Sequence, residues 1–432
     1  EKIEDLLEPV IEKYGHDSSR GDKRWYYIAP AILDGVGYAD GWIGEMINAD
    51  PDTDDTTEDF GTGGFYAHLR KMSSLLHSID HGMGRAPDDL AGVLADMAIG
   101  SFAVCIFRTN GGDLRRASEL AKVFVNRFNA TEATAAVMLS YMEDESSEGD
   151  GHWRNVLRYC CDGGFGAMLD EYVHMVSEGT GFGMSDDGNR RIHEIMVEAL
   201  KIHSASYAVD TYPDFKRRMK GNKYHKTYMR SHYAVGFTKS EGAESKNTER
   251  KDSIRNAFNS PMRPFVLATT SIGQEGLDFH QYCRKIMHWN LPGNPIDLEQ
   301  REGRIIRYKC LAIRQDIARR FADRTFHSEV WQELFAMAAE EMRREGQSEL
   351  VPYWCLGKEQ NVKIERIIPM YPMSKDGVNY HRLINVLSLY RLTMGQARQE
   401  ELVNYILESG FDDEEYLQGL FINLSPYVRL TN

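Results

Sequence analysis

The chain has 432 residues, a formal charge of −14 and 42% hydrophobic residues. That balance reads as a soluble globular protein of roughly two to four domains; it excludes a polybasic nucleic-acid coat and leaves any polyanion site to a local patch. Six cysteines, with Cys160 and Cys161 adjacent, fit neither a disulfide framework nor a zinc spacing.

A reducing, cytoplasmic setting is therefore expected, and no apolar run is read as a membrane span. The chain opens at Glu1 without an initiator Met or a signal peptide, which suggests a piece of a longer or processed polypeptide.

Residues 1–195 read as mostly helical. Pro87-Asp88-Asp89 marks a helix start, after which Leu90, Val93, Leu94 and Met97 fall on one face. Acidic or Gly- and Ser-rich stretches at Asp50–Gly64, Glu143–Gly151 and Gly179–Asn189 read as loops. No repeat of fixed period is visible.

After about residue 195 short β-type runs appear at Tyr233–Phe237, Phe265–Ala268 and Ile286–Leu291. Helical stretches separate them, notably Asn247–Phe258 and Asp297–Tyr308. Strands alternating with helices predict an α/β domain over 196–345, with a parallel sheet. Residues 346–432 read as a mainly helical C-terminal extension with one strand, Val362–Ile368, and a helix carrying Leu383, Val386, Leu387 and Tyr390.

The chemistry concentrates in Phe265–Lys309. An apolar run ends in the small polar residues Thr269, Thr270 and Ser271, and a loop with Gly273 and Gly276 follows. A second strand leads through Leu291-Pro292-Gly293-Asn294-Pro295 into a helix expected to carry Arg304 and Arg307 on one face. In open α/β sheets ligands bind beyond the carboxyl ends of strands, and planar guanidinium forks suit phosphate. The plain alternative is a solvated helix whose Glu299, Glu302 and Asp297 partner those arginines.

Ile272-Gly273-Gln274-Glu275-Gly276-Leu277-Asp278-Phe279, and then Gln300-Arg301-Glu302-Gly303-Arg304-Ile305-Ile306-Arg307, resemble motifs V and VI of superfamily 2 helicases and translocases. The branch most similar is the Swi/Snf-like bacterial one. The helix through Glu249-Arg250 and Arg255-Asn256-Ala257-Phe258 looks like the one before motif V.

The resemblance implies a second RecA-like domain over 196–345, preceded by a helical accessory domain. It implies that Thr269 and Thr270 touch nucleic-acid phosphate, and that Glu275, Gly276, Asp278 and Gly303 line the nucleotide. Gln300 and Arg304 would reach the γ-phosphate of ATP, with Arg307 as the finger on the transition state. Such a finger contributes roughly 10³–10⁵ in rate.

The other half of such a motor is not legible. The only Gly-Lys pair, Gly357-Lys358, lacks the spacing of a phosphate loop. Met168-Leu169-Asp170-Glu171-Tyr172-Val173-His174 misplaces the histidine of an acidic helicase box and reads as ordinary helix. Gly179-Thr180-Gly181-Phe182-Gly183 lacks a dinucleotide fingerprint. A first RecA-like domain, in the same longer polypeptide or a separate subunit, is expected to supply the Mg²⁺ ligands. The chain alone is expected not to hydrolyse ATP.

From Thr211 to Arg230 seven Lys or Arg, among them Arg217, Arg218, Lys220 and Lys223, face one acid, Asp214. Tyr212, Phe215, Tyr224 and Tyr228 are interleaved. This reads as a surface that tracks a nucleic-acid backbone, with duplex DNA expected from the branch resemblance. Its plain alternative is a solvated face whose tyrosines anchor it to a core.

His288 and Trp289 are read as core packing, and His152 and His174 as structural. The stripe Val330, Leu334 and Met337 is likewise read as core. Leu389–Glu400 has the look of a brace similar to bacterial helicase-related proteins, some of them in anti-phage defence clusters. The competing functional expectation is a catalytically incomplete RecA-like module that docks or regulates a protein partner.

Overall fold

The computed structural model describes residues 1–16, 21–48, 63–141, 151–181, 185–200, 205–209, 212–220, 227–231, 253–262, 264–269, 278–343, 348–356, 360–392 and 398–409. The chain divides into two units, Glu1–His203 and Ser204–Asn432.

The first unit is helical: α1 (Lys2–Tyr14), α2 (Trp25–Leu33), α3 (Val36–Asn48), α4 (Gly63–His77), α5 (Leu90–Gly100), α6 (Phe102–Thr109), α7 (Leu114–Phe128), α8 (Thr131–Ser140), α9 (Gly151–Cys161), α10 (Gly164–Thr180) and α11 (Asp186–Leu200). Trp25 is its fully buried pivot, packed with Ile28, Ile43, Tyr66 and Leu90. The indole Nε1 donates to the Gly84 carbonyl at 2.8 Å, so the ring is buried without orphaning its one polar atom. A second apolar group packs Phe165 of α10 edge-on against Phe124 of α7, with ring centroids 5.0 Å apart.

The predicted helix start holds: α5 begins at Leu90 after Asp89, with Leu90, Val93 and Leu94 buried. Met168–His174 lies inside α10, as expected of ordinary helix. Of the predicted loops, 49–62 and 142–150 fall outside the described residues, and α11 already begins at Asp186.

The expectation about membrane spans is corrected. Leu90–Thr109 is long and apolar enough to cross a membrane by length and composition. Here the backbone breaks at Ser101, which adopts φ −58° and ψ 153°, and the run becomes α5 and α6. The Ser101 hydroxyl accepts the Val104 N–H at 3.3 Å and caps α6. Gly100 lets α5 approach α9, since an added Cβ would lie 3.1 Å from the Cys161 Cα.

The second unit holds β1 (Ala205–Val209), α12 (Tyr212–Met219), β2 (Thr227–Ser231), α13 (253–258), β3 (Lys285–Met287), α14 (Pro295–Glu302), α15 (Leu311–Arg320), α16 (Val330–Met342), β4 (Glu365–Ile367), α17 (Asp376–Leu392) and α18 (Gln399–Glu408). β3 and β4 pair in parallel, with Lys285 opposite Glu365 and Met287 opposite Ile367. β1 and β2 pair antiparallel, with Val209 opposite Thr227. The described part of the chain is thus mostly helical with a small parallel two-stranded sheet.

Three expectations shift. Residues 264–269 form no strand and no ladder among the described residues, and Phe265 and Val266 are 76% and 85% exposed. The run Tyr233–Phe237 lies outside the described residues. The partner of β3 comes from beyond residue 345: β4 belongs to the predicted extension. Trp289 is 67% exposed, against the expectation of core, because β3 ends at Met287 and the ring rests edge-on against Tyr371.

Residues beyond 345 pack with those before. Asp316 of α15, fully buried, accepts the N–H groups of Asn361 and Val362 at 2.7 and 3.0 Å and pairs with Arg320. Leu356 and Val362 join the core of α15 and α16 around Ile313, Ile317, Leu334 and Phe335. Leu334 and the partly buried Met337 pack in this core as expected, whereas Val330 is 38% exposed.

Candidate functional site

α14 begins with a cap that the sequence spells out. The Asn294 side-chain oxygen accepts the Ile296 N–H at 2.9 Å, and Pro295 occupies the first helical position, where its missing N–H costs nothing. Leu298 turns inward and is fully buried, while Gln300 is exposed.

The helix then stops sooner than expected, at Glu302. The carbonyl of Glu302 accepts both the Ile305 and Ile306 N–H groups, at 3.0 and 3.1 Å, which tightens the chain into a turn. Gly303 sits in that turn, where an added Cβ would come within 3.1 Å of the Glu299 carbonyl. Ile305 is the reason for the exit: it is buried with Phe258 and Phe279 in a small core of its own.

Arg304 and Arg307 therefore do not share a helix face, which corrects the sequence expectation. Arg304 lies in the turn and Arg307 in the irregular stretch just after it. The Arg304 carbonyl accepts the Phe279 N–H at 2.9 Å, so the turn is tied to the segment beside Asp278. Arg307 Nη2 pairs with Asp278 Oδ1 at 3.2 Å, and the Arg307 Nε is enclosed without a hydrogen-bond partner among the described residues. The Asp278 carbonyl in turn accepts the Asn259 side-chain amide at 2.6 Å.

The carboxylates of α14 are held elsewhere. Arg366 grips Glu302 with two bonds, Nε to Oε1 at 2.5 Å and Nη2 to Oε2 at 2.7 Å, and its Nη1 donates to the Tyr380 hydroxyl. His288, buried beneath, brings Nε2 within 3.2 Å of Glu302 Oε1. Burial raises the Glu302 carboxyl, but His288 and Arg366 outweigh it and bring its pKa down to about 2. Arg391 of α17 pairs with Glu299. Arg301 donates to the Asn290 carbonyl at 3.0 Å. The salt-bridged helix face that the sequence allowed exists, but its cations come from 366 and 391. Sequence reasoning missed both residues.

His280 lies two residues after Asp278 and is half-buried. Burial pushes its imidazole pKa down to about 4, Asp278 opposes the shift, and Arg314 and Arg307 add to it. Its Nδ1 is buried without a hydrogen-bond partner among the described residues. His152 and His174 are structural as expected, with His152 Nε2 3.0 Å from the Phe128 carbonyl and His174 beside Glu178.

Of the remaining expected site residues, Thr269 is exposed, while Thr270, Glu275, Gly276 and Lys223 lie outside the described residues. Among the described residues no group of His, Cys, Asp and Glu could hold a metal ion. The residues that are present suit an anion: guanidinium groups on a turn, beside a carboxylate that can release one of them.

α12 presents a different surface. Lys216, Arg217, Arg218 and Lys220 are all exposed, and so is Tyr212, at 68%. The Lys216 ammonium lies 4.7 Å from the Tyr212 ring and the Arg218 guanidinium 5.7 Å from Phe215. The alternative in which Tyr212 anchors the face to a core does not hold. Cation-bearing aromatic faces at the surface are the arrangement on which bases stack.

No curated protein and no solved structure matches the chain. Residues 211–309, which run from the start of the basic cluster to the end of the arginine segment, match the helicase conserved C-terminal domain.

Proposed function

We propose that residues 204–432 form the second RecA-like half of an ATP-dependent translocase or helicase acting on duplex DNA. Arg304 and Arg307 are its contribution to an ATP site whose phosphate loop and Mg²⁺ ligands belong to a first RecA-like domain. Gln300 and Gly303 flank that contribution, and Asp278 faces the nucleotide.

The observation that carries this reading is the allocation of charge around α14. Glu299 and Glu302 are engaged by Arg391 and Arg366, and among the described residues Arg307 pairs with one half-exposed carboxylate, Asp278. Phosphoryl transfer spreads negative charge over the equatorial oxygens, and a positioned guanidinium stabilises that charge. The basic face of α12 supports a sequence-independent contact with the nucleic-acid backbone.

The test combines this chain with a first RecA-like domain bearing a phosphate loop, taken from its gene neighbourhood or the same reading frame. DNA-stimulated ATP hydrolysis is expected, and Arg307→Ala abolishes it. A second reading, a docking module without turnover, draws on the Arg307–Asp278 pair, which joins two residues the first reading gives to the nucleotide. It predicts no stimulated hydrolysis and a protein partner whose affinity is unchanged by Arg304→Ala. A role in anti-phage defence belongs to the first reading and is tested by phage challenge with Arg307→Ala in the host.

A further inference from the structure

Lys309 ends the arginine segment, and it is 4% exposed. Lysine is almost never buried unless its charge is matched. Its ammonium lies 4.2 Å from the centroid of Phe335, 5.4 Å from Tyr308 and 5.8 Å from Tyr353. The rings form a stack, Tyr308 on Tyr353 at 5.9 Å and Tyr353 on Phe335 at 5.7 Å. Their quadrupoles attract a desolvated cation.

The backbone of Lys309 is committed as well. Its φ is 46°, in the left-handed region that residues with a Cβ avoid. Its N–H donates to the Tyr353 carbonyl at 2.7 Å. At the other end of the segment Glu302 is gripped by Arg366 and His288. Arg304 and Arg307 lie between these two attachments.

We propose that Lys309 is a positioning residue. Its ammonium, held by the rings of Tyr308, Phe335 and Tyr353, acts with the Glu302–Arg366 pair to suspend the segment 303–308 in the shape that aims the arginines at an anionic ligand. That the ligand is the triphosphate of ATP rests on the function proposed above; the suspension itself does not. Phe335 and Tyr353 of the cage and Arg366 all lie outside residues 211–309, so the C-terminal part of the unit helps set the geometry of the arginine segment.

The test uses the full chain with Lys309→Met, which keeps the apolar length and removes the charge, and Lys309→Arg, which keeps the charge. Hydrogen exchange is read at the Phe279 and Lys309 amides, whose acceptors are the carbonyls of Arg304 and Tyr353. Lys309→Met is expected to speed exchange about tenfold, and Lys309→Arg to stay within about threefold of the unsubstituted chain. Equal protection by Met and Lys means apolar packing alone and overturns the proposal, as does unprotected exchange in the unsubstituted chain. If Lys309→Met does not fold, Phe335→Leu is read in the same way.

Calorimetry with Mg-ATP and Mg-ADP, run on each variant of the full chain combined with the first RecA-like domain that brings the phosphate loop, supplies the second readout. The unsubstituted chain and Lys309→Arg are expected to prefer ATP, and Lys309→Met to lose that preference. A retained preference in Lys309→Met with fast exchange means that the tether does not position the arginines, and the proposal fails. Equal binding of ATP and ADP by the unsubstituted chain instead removes the nucleotide reading, while the exchange result still decides the tether.

Discussion

Arg307 Nη2 lies 3.2 Å from Asp278 Oδ1, and the two side chains remain 38% and 48% exposed. Ion pairs this open to water contribute roughly 0–1 kcal/mol. Such a pair holds a guanidinium in place yet yields it to a phosphate, whose charge and paired oxygens are a stronger partner.

Arg307→Ala is accordingly expected to leave stability almost unchanged, within about 1 kcal/mol by denaturant unfolding. In the complemented motor the same substitution is expected to lower stimulated ATP hydrolysis by roughly 10³–10⁵. A large loss of stability with no loss of turnover would make the pair a structural clamp.

Glu302 behaves oppositely. Its carboxyl is enclosed and its pKa is depressed to about 2 from an ordinary 4.5. The unfolded chain binds the proton first, so the pair's stabilisation is complete above about pH 4.5 and is lost as pH falls towards 2. Arg366→Ala, which leaves the enclosed carboxylate with His288 but without its bidentate guanidinium, is expected to cost about 3 kcal/mol. Unfolding measured from pH 6 to 2 checks both: Glu302→Gln should flatten this acid limb.

His280 gives a second, separate limb. Burial holds its pKa at about 4, below the ordinary 6.5, so the folded form keeps the imidazole neutral. Between those values the unfolded chain takes up the proton, and stability falls as pH drops from about 6.5 to 4. His280→Leu is expected to remove this limb and leave the Glu302 limb intact, read by the same unfolding series.

α12 sets the nucleic-acid prediction. Arg217→Glu with Lys220→Glu should weaken duplex binding at all sequences and reduce the salt slope by about 2, measured by fluorescence anisotropy across salt concentrations. Tyr212→Ala should cost about 1–3 kcal/mol on single strands and little on duplex, because only unpaired bases offer a face to stack on. An unchanged slope in the double variant removes α12 from the interface.

Local signals in the chain were read where they act locally. Asn294-Pro295 starts α14, Asp89 precedes α5, and Met168–His174 is plain helix, because caps, a fixed proline φ and helical periodicity need only neighbours in sequence. One serine cap, equally local, divides the apolar run Leu90–Thr109 into two helices. The arginine segment misled because Ile305 leaves the helix for a core made by Phe258 and Phe279, and sequence periodicity carries no record of that core.

The sequence by itself determined that this chain carries two arginines three apart behind a glycine, a strand before them and a basic aromatic cluster upstream. Tertiary structure alone decided which charges meet. Glu302 is claimed by an arginine 64 residues away and Glu299 by one 92 away, while Lys309 is enclosed by rings from α16 and the segment after it. Charge at a given spacing is a local property of the chain; the desolvation and fixed geometry that make it strong come only from packing distant segments together.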